Sequence, residues 1–215
     1  MEFKEINSKD AVEFLLPRHY SGRKPSISKA YGSFRGGQLK AVCTFGKPAS
    51  PSLCVGVCGK EYSSQVYELN RLCRTDDYDE PLSKFVSWCL RQLKYLDWII
   101  VSYSDTAMNH HGYIYQACNF YYTGATKKRT DMYTPNGKHS RHYKTNEQTG
   151  YRKIRSSKHR YIYFCTSNKR LKKTWLQSLR YQIISEYPKG DNNSDYTLGN
   201  YLKDEIIIDR RLKHD

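Results

Sequence analysis

Apolar residues at Leu82, Phe85, Val86, Cys89, Leu90, Leu93 and Leu96 recur at intervals of three and four across Pro81–Leu96, which predicts an amphipathic helix with Pro81 suiting its first turn. The short apolar run Trp98–Val101 follows after almost no loop and predicts a buried parallel strand. Two further strands are expected at Ser28–Phe34 and Leu39–Phe45, joined as a hairpin by Arg35-Gly36-Gly37-Gln38, whose glycines permit positive φ. Ser63–Cys73 alternates as a strand, which puts Glu68 and Asn70 on one face and Tyr67, Leu69 and Arg71 on the other. Ser8–Leu16 reads as a helix with Ser8 as N-cap and Pro17 closing it, leaving Arg18-His19-Tyr20 in the following loop. A short helix at Asn109–Cys118 and a strand at Phe120–Gly124 complete the order of an α+β sheet. The length, 215 residues, suits one domain or one domain with an appendage.

The pattern changes beyond residue 126. Lys127–Arg180 holds sixteen Lys or Arg against two acids, Asp131 and Glu147, with Tyr and His recurring. This divides the chain into a core, 1–126, and a basic, Tyr-rich extension, 127–215, packed on it. Lys127, Lys128, Arg129, Arg152, Lys153 and Arg155 are its candidate nucleic-acid contacts. Ser167–Arg180 is expected to be a helix that packs through Leu171, Trp175, Leu176 and Leu179 and offers Lys169, Arg170, Lys172 and Lys173 to phosphate. Gly190–Asp195 reads as a loop and the final residues as a frayed tail.

The whole chain carries a formal charge of +15, and its twenty tyrosines outnumber seven phenylalanines. Cations that bind phosphates, mixed with rings that stack on bases, favour nucleic acid as the partner over a membrane. Seven cysteines without a Cys-x-x-Cys pair do not resemble a disulfide framework, so a reducing compartment is expected. Cys54 and Cys58 have a spacing that holds a metal only with ligands from elsewhere. The amino terminus lacks a secretory pattern and no apolar run approaches a membrane span, so a soluble protein is expected.

Candidate chemistry gathers where polar residues follow the buried strand, since open α/β sheets collect ligands at the carboxyl ends of their strands. Arg18-His19-Tyr20-Ser21, Glu68-Leu-Asn-Arg71-Leu, Ser102-Tyr-Ser-Asp105 and Gly112-Tyr-Ile-Tyr115-Gln-Ala-Cys-Asn-Phe-Tyr-Tyr-Thr-Gly124 stand in order and at compatible separations. Together they resemble the Mom family of bacteriophage DNA-modification proteins over roughly residues 10 to 126. The resemblance implies a GNAT-like acyltransferase fold, a mixed sheet with flanking helices. It also implies transfer of a carbamoylmethyl-type group to the exocyclic amine of adenine, protecting phage DNA from host restriction in the host cytoplasm. Its functional positions fall on His19, Tyr20, Arg71, Asp105 and Tyr115.

An exocyclic amine is a poor nucleophile, so attack needs a close electrophile and a base. Asp105 is the candidate base, or else a helix cap. Arg71 suits a phosphate, carboxylate or oxyanion, or pairs with Glu68 or Asp76. Tyr115 is placed to protonate a leaving group or bond the base edge, or is core. His19 moves a proton, orients the donor or binds metal, and Tyr20 stacks on a flipped base. The family is associated with iron, for which His19 and Asp105 are the ligands to examine first. One departure concerns the donor. Where related acyltransferases cradle a coenzyme A pyrophosphate in a Gly-rich turn, this chain has Arg74-Thr-Asp-Asp-Tyr-Asp-Glu-Pro81, whose four carboxylates repel it. Coenzyme A is therefore not the expected donor; an acyl or aminoacyl carrier is, either an aminoacyl-tRNA or another carrier, and the basic extension would then serve tRNA, DNA or both. Two other readings are an acyltransferase acting on RNA or protein amines and a non-enzymatic nucleic-acid binder; double-stranded DNA is the leading partner.

Overall fold

The computed structural model describes residues 1–133, 150–191 and the backbone of Ile206–Ile208. Five α-helices, α1 (Ser8–Leu15), α2 (Pro51–Cys58), α3 (Leu82–Leu93), α4 (Tyr113–Ala117) and α5 (Lys169–Ser178), flank a seven-stranded mixed sheet. Its order is β1 (Glu2–Glu5), β2 (Lys29–Arg35), β3 (Gln38–Gly46), β4 (Val66–Arg74), β5 (Trp98–Asp105), β9 (Lys158–Cys165) and β6 (Tyr121–Ala125). A second sheet is built from β7 (Arg129–Met132), β8 (Tyr151–Arg155) and β10 (Ile206–Ile208). This is the expected fold class, a mixed sheet with flanking helices.

The β2–β3 hairpin and α3 form as expected, α3 burying Phe85, Val86, Cys89, Leu90 and Leu93 against one face of the sheet. On the opposite face, α5 inserts Trp175 beside Phe164 of β9, and α2 packs Val57 into the same cluster.

Several expectations are corrected. Helix α1 is capped by Asn7, not Ser8, because the Asn7 side chain accepts from the Asp10 N–H at 2.9 Å. Residues 63–65 form a helical turn before β4. The segment holding Cys54 and Cys58 is a helix whose apolar side chains are taken up by the core. Burial raises the Cys58 thiol to about 11. Only Tyr113–Ala117 of the expected 109–118 helix is helical, because Asn109 and Gly112 adopt left-handed backbone. A Cβ at Gly112 would lie 2.5 Å from the Tyr161 ring, so that turn needs glycine.

The largest correction concerns the extension. Its strand β9 lies between β5 and β6, antiparallel to both, so the boundary near residue 126 does not separate the main sheet from the rest. Residues 206–208, expected in a frayed tail, pair with β8. Of the loop expected at Gly190–Asp195, residues 192–195 lie outside the described residues; Gly190 is anchored to Tyr113, with which it exchanges two hydrogen bonds.

Candidate functional site

β4 and β5 run parallel, but their pairing covers only Val66–Leu69 against Ile99–Ser102. Beyond that point β4 stays with β3 and β5 with β9, so the two strands part and open a cleft at their carboxyl ends. The Ser102 hydroxyl, donating to the Leu69 carbonyl at 2.9 Å, closes its floor.

The β4 side of the cleft is shaped by a bulge. Thr44 faces Arg71 while the next residue, Phe45, faces Leu69, which leaves Asn70 as the extra residue. Asn70 is held by the Thr44 hydroxyl and by the Ser26 carbonyl, each at 2.7 Å. A Cβ on Gly46 would lie 1.9 Å from that carbonyl, so glycine is what lets the 23–28 loop approach. The bulge reverses the alternation expected of this strand. Arg71, expected opposite Glu68, comes round to the face that Glu68 occupies, and the two charges interact. The Arg71 guanidinium donates to the carbonyls of Asn70 (2.6 Å) and Arg23 (3.5 Å). Its buried Nε–H has no partner among the described residues. Burial raises Glu68 above the usual carboxylate range, with Arg71 and Lys158 pulling the other way.

The β5 side ends in Asp105, whose carboxylate is already engaged. One oxygen accepts from the Ala107 N–H at 3.0 Å and from the Ser156 hydroxyl; the other meets the Lys158 ammonium at 2.9 Å. Burial works to raise this group, but Lys158 and the hydrogen bonds from Ser156 and Ala107 prevail and hold it below its ordinary value. Asp105 thus caps the turn at residues 106–108 and pairs with a cation, which makes it a weak base.

His19 and Tyr20 enter from the loop after α1. The His19 Nδ1 accepts the Ser21 N–H at 3.1 Å, which places the ring proton of the neutral form on Nε2. Burial, with the charges of Arg71, His110 and Lys158 nearby, lowers His19 to about 3, so it is neutral at physiological pH. Tyr20 stacks on His19, ring centroids 4.4 Å apart, and its hydroxyl influences both Arg71 and Tyr115. Tyr115 comes from α4, has its hydroxyl near Ser102 at the cleft floor and packs its ring on Phe120 and Tyr161. Burial pushes its hydroxyl well above the usual tyrosine value. The fold therefore brings all five expected residues, His19, Tyr20, Arg71, Asp105 and Tyr115, around one cleft.

Glu68, Lys158 and His110 stand with them and were not among the expected site residues. Glu68 belongs to the quoted Glu68-Leu-Asn-Arg71 block, which was a signal; Lys158 carries no local signal, since only the β5–β9 register sets it opposite Asp105.

The basic residues form two groups. Arg129, Lys153 and Arg155 share one face of the β7–β8 ribbon with Asp131, which pairs with Arg155 at 3.1 Å. Arg152 is on the other face and donates to the Thr130 hydroxyl at 2.8 Å; Lys127 and Lys128 are exposed between β6 and β7. The ribbon adjoins the cleft through Ser156 and Lys158. Lys169, Arg170, Lys172 and Lys173 are exposed on α5, which begins just past the other end of β9. β9 spans roughly 23 Å at about 3.3 Å per residue.

The implied iron does not fit the residues that would hold it. With Asp105 drawn on by three donors and the His19 Nδ1 accepting an N–H, the pair is a poor iron donor set. Among the described residues no three His, Cys, Asp or Glu side chains gather as a metal site. At residues 74–81, Lys40, Arg35 and Lys84 pair with Asp77, Asp79 and Glu80. Arg74 is turned onto the carbonyls of Thr75, Asp76 and Tyr78. The cations there are engaged by the loop itself. Among the described residues no helix is long and apolar enough to cross a membrane.

Solved structures resemble this fold at low identity. An N-acetyltransferase from Staphylococcus aureus Mu50 matches with a TM-score of 0.48 and 11% identity over 77% of this chain and 98% of that one. A Bacillus subtilis acetyltransferase in complex with CoA gives 0.42 and 16% over 76% and 97%. The ribosomal-protein-S18-alanine N-acetyltransferase from Escherichia coli gives 0.45 and 9% over 78% and 95%. No curated protein matches the chain. The model of the Mom protein family matches residues 1–189, most of its length. The chain belongs to the Mom protein family.

Proposed function

We propose that this protein is an acyl-transfer enzyme that adds an acyl-derived group of the carbamoylmethyl type to the exocyclic amine of adenine in phage DNA, shielding that DNA from host restriction. The observation that carries this reading is the β4–β5 cleft: in a member of the Mom family, the five residues singled out by family resemblance converge there around a half-buried carboxyl, Glu68.

In the step this site supports, the adenine nitrogen attacks the carbonyl carbon of an activated acyl donor. A C–N bond forms and the bond to the carrier breaks, giving an N-acyl adenine. The N-glycyl adduct of an aminoacyl donor is an isomer of the carbamoylmethyl product, which is joined through its methylene carbon, and reaching that product takes a subsequent rearrangement with no further atoms. Glu68, a stronger base than an ordinary carboxylate because burial disfavours its charge, takes the amine proton. The Arg71 Nε–H is free to meet the developing oxyanion, and the Tyr115 hydroxyl protonates the departing group. His19, neutral with its proton on Nε2, donates a hydrogen bond instead of acting as an acid. Tyr20 offers a ring on which an extruded base stacks.

Double-stranded DNA is the proposed partner, with the β7–β8 ribbon as its contact nearest the cleft and α5 as the farther one. The donor is an acyl or aminoacyl carrier; the 74–81 loop speaks against coenzyme A, and a tRNA carrier is compatible with the basic surfaces. The site of action is the host cytoplasm.

The test is to express the protein in a bacterium, digest plasmid DNA to nucleosides and weigh the adenosines from wild type and Glu68→Gln. A new adenosine species made only by wild type is expected. An unchanged DNA profile with a modified RNA nucleoside would replace DNA by RNA as the acceptor, and no mass gain in DNA, RNA or protein would sink the enzyme reading.

A further inference from the structure

Asp105 occupies an odd position for a reacting group. Its carboxylate is only 12% exposed, all three donors that reach it belong to the protein, and one is a cation. The cation is more open, at 31% exposure. Asp105 and Lys158 are direct cross-strand partners at the paired ends of β5 and β9, where the backbone is pinned: the Lys158 N–H donates to the Thr126 hydroxyl at 3.0 Å and its carbonyl accepts from the Thr126 N–H at 2.8 Å. The backbone of Lys158 is thus fixed, and the ion pair with Asp105 is what sets where its ammonium sits. Its charge is felt by both Glu68 on β4 and His19 in the α1 loop, so it lies between the two sides of the cleft.

We propose that Asp105 is a positioning residue and that Lys158 is the site residue it positions: the carboxylate fixes the ammonium at the cleft mouth between Glu68 and His19, and this ammonium, not the carboxylate, meets the reacting groups. The inference rests on the cleft being the reaction site. Lys158 stabilises the ionised form of the base before reaction, and its remaining N–H groups are available to a phosphate or carbonyl oxygen of the bound partner. The effect of losing Asp105 on modification is then the effect of losing Lys158's placement.

The sign of one titration separates this from a direct role. Glu68 is faced by Arg71 from its own strand, Tyr103 from β5, Cys54 from α2, Tyr115 from α4 and Lys158 from β9. Asp105→Asn removes a negative charge, which by simple electrostatics moves a neighbouring carboxyl to lower pH. If Asp105 works through Lys158, the same substitution releases the ammonium and moves Glu68 to higher pH.

The experiment follows the Glu68 side-chain carbon by NMR in purified protein labelled with carbon-13 glutamate, assigned by its loss in Glu68→Gln. Lys158→Met is expected to raise the Glu68 midpoint by about one pH unit, Asp105→Asn to raise it in the same direction, and the double variant to add nothing further. Lys158→Arg, which keeps the charge and guards against a folding artefact, should leave it near wild type. A midpoint that falls in Asp105→Asn, or is unmoved in a folded Lys158→Met, overturns the proposal. This readout needs no acceptor, so it stands or fails apart from the adenine assignment. The same four proteins in the plasmid assay should lose modification equally in the two single variants and the double; losses that multiply would also overturn it.

Discussion

The two sides of the cleft each carry a carboxyl, and they are built in opposite ways. On the β4 side Glu68 is half-buried and its pKa is raised by desolvation despite Arg71 and Lys158; on the β5 side Asp105 is held ionised by Lys158, Ser156 and Ala107. One is left basic by burial and the other is made inert by its partners. In the proposed reading the base is therefore chosen by how many donors are already aimed at each carboxylate, and not by position at the end of a strand.

The sharpest way to break this comparison is to neutralise each carboxyl with its shape kept. Glu68→Gln is expected to lower modified adenine by about 10²- to 10⁴-fold, measured by nucleoside mass; near-normal modification would return the base to the β5 side. Next comes Arg71→Lys, expected to cost about 10²-fold because an ammonium cannot reproduce the Nε–H.

A pH profile sharpens the contrast. Activity should fall as pH drops through the raised Glu68 value, and His19, lowered to about 3, should add no limb near the usual histidine range. Stability should move in opposite directions on the two sides. The Asp105 pKa is depressed in the fold, so its contribution is present above about pH 4 and lost as pH falls through the folded value. The Glu68 pKa is raised, so its ionisation costs stability as pH rises from its unfolded value through the folded one. Melting curves at neutral pH should accordingly show Glu68→Gln a few degrees above wild type and Asp105→Asn a few degrees below. The smallest effect tests the surfaces: neutralising Arg129, Lys153 and Arg155 together should reduce the salt slope of DNA binding by about 3, at roughly 0.9 per phosphate contact, while leaving Glu68 untouched.

What the sequence made legible was local. The β2–β3 hairpin follows from Gly36-Gly37, α3 from its three-and-four spacing, and the site residues from short blocks whose order survives in the fold. What it hid was pairing. The bulge at Asn70 depends on β3, and without it Arg71 is assigned to the wrong face; Lys158 meets Asp105 only because β9 lies beside β5. Alternation along one strand contains neither fact. The apolar stretch holding Cys54 and Cys58 has no period to read, being apolar on all sides; it is a helix capped by Ser50, with Val57 buried in the cluster that holds Phe164 and Trp175.

The place of β9 also sets an order of events. During synthesis β5 and β6 emerge well before the strand that joins them, so until Lys158–Cys165 has left the ribosome the nascent sheet carries an open edge at β5 and β6 has no partner in it. The cleft gains its lysine only at that late step. A chain that stops short of β9 has every short block of the family resemblance and still lacks a finished site.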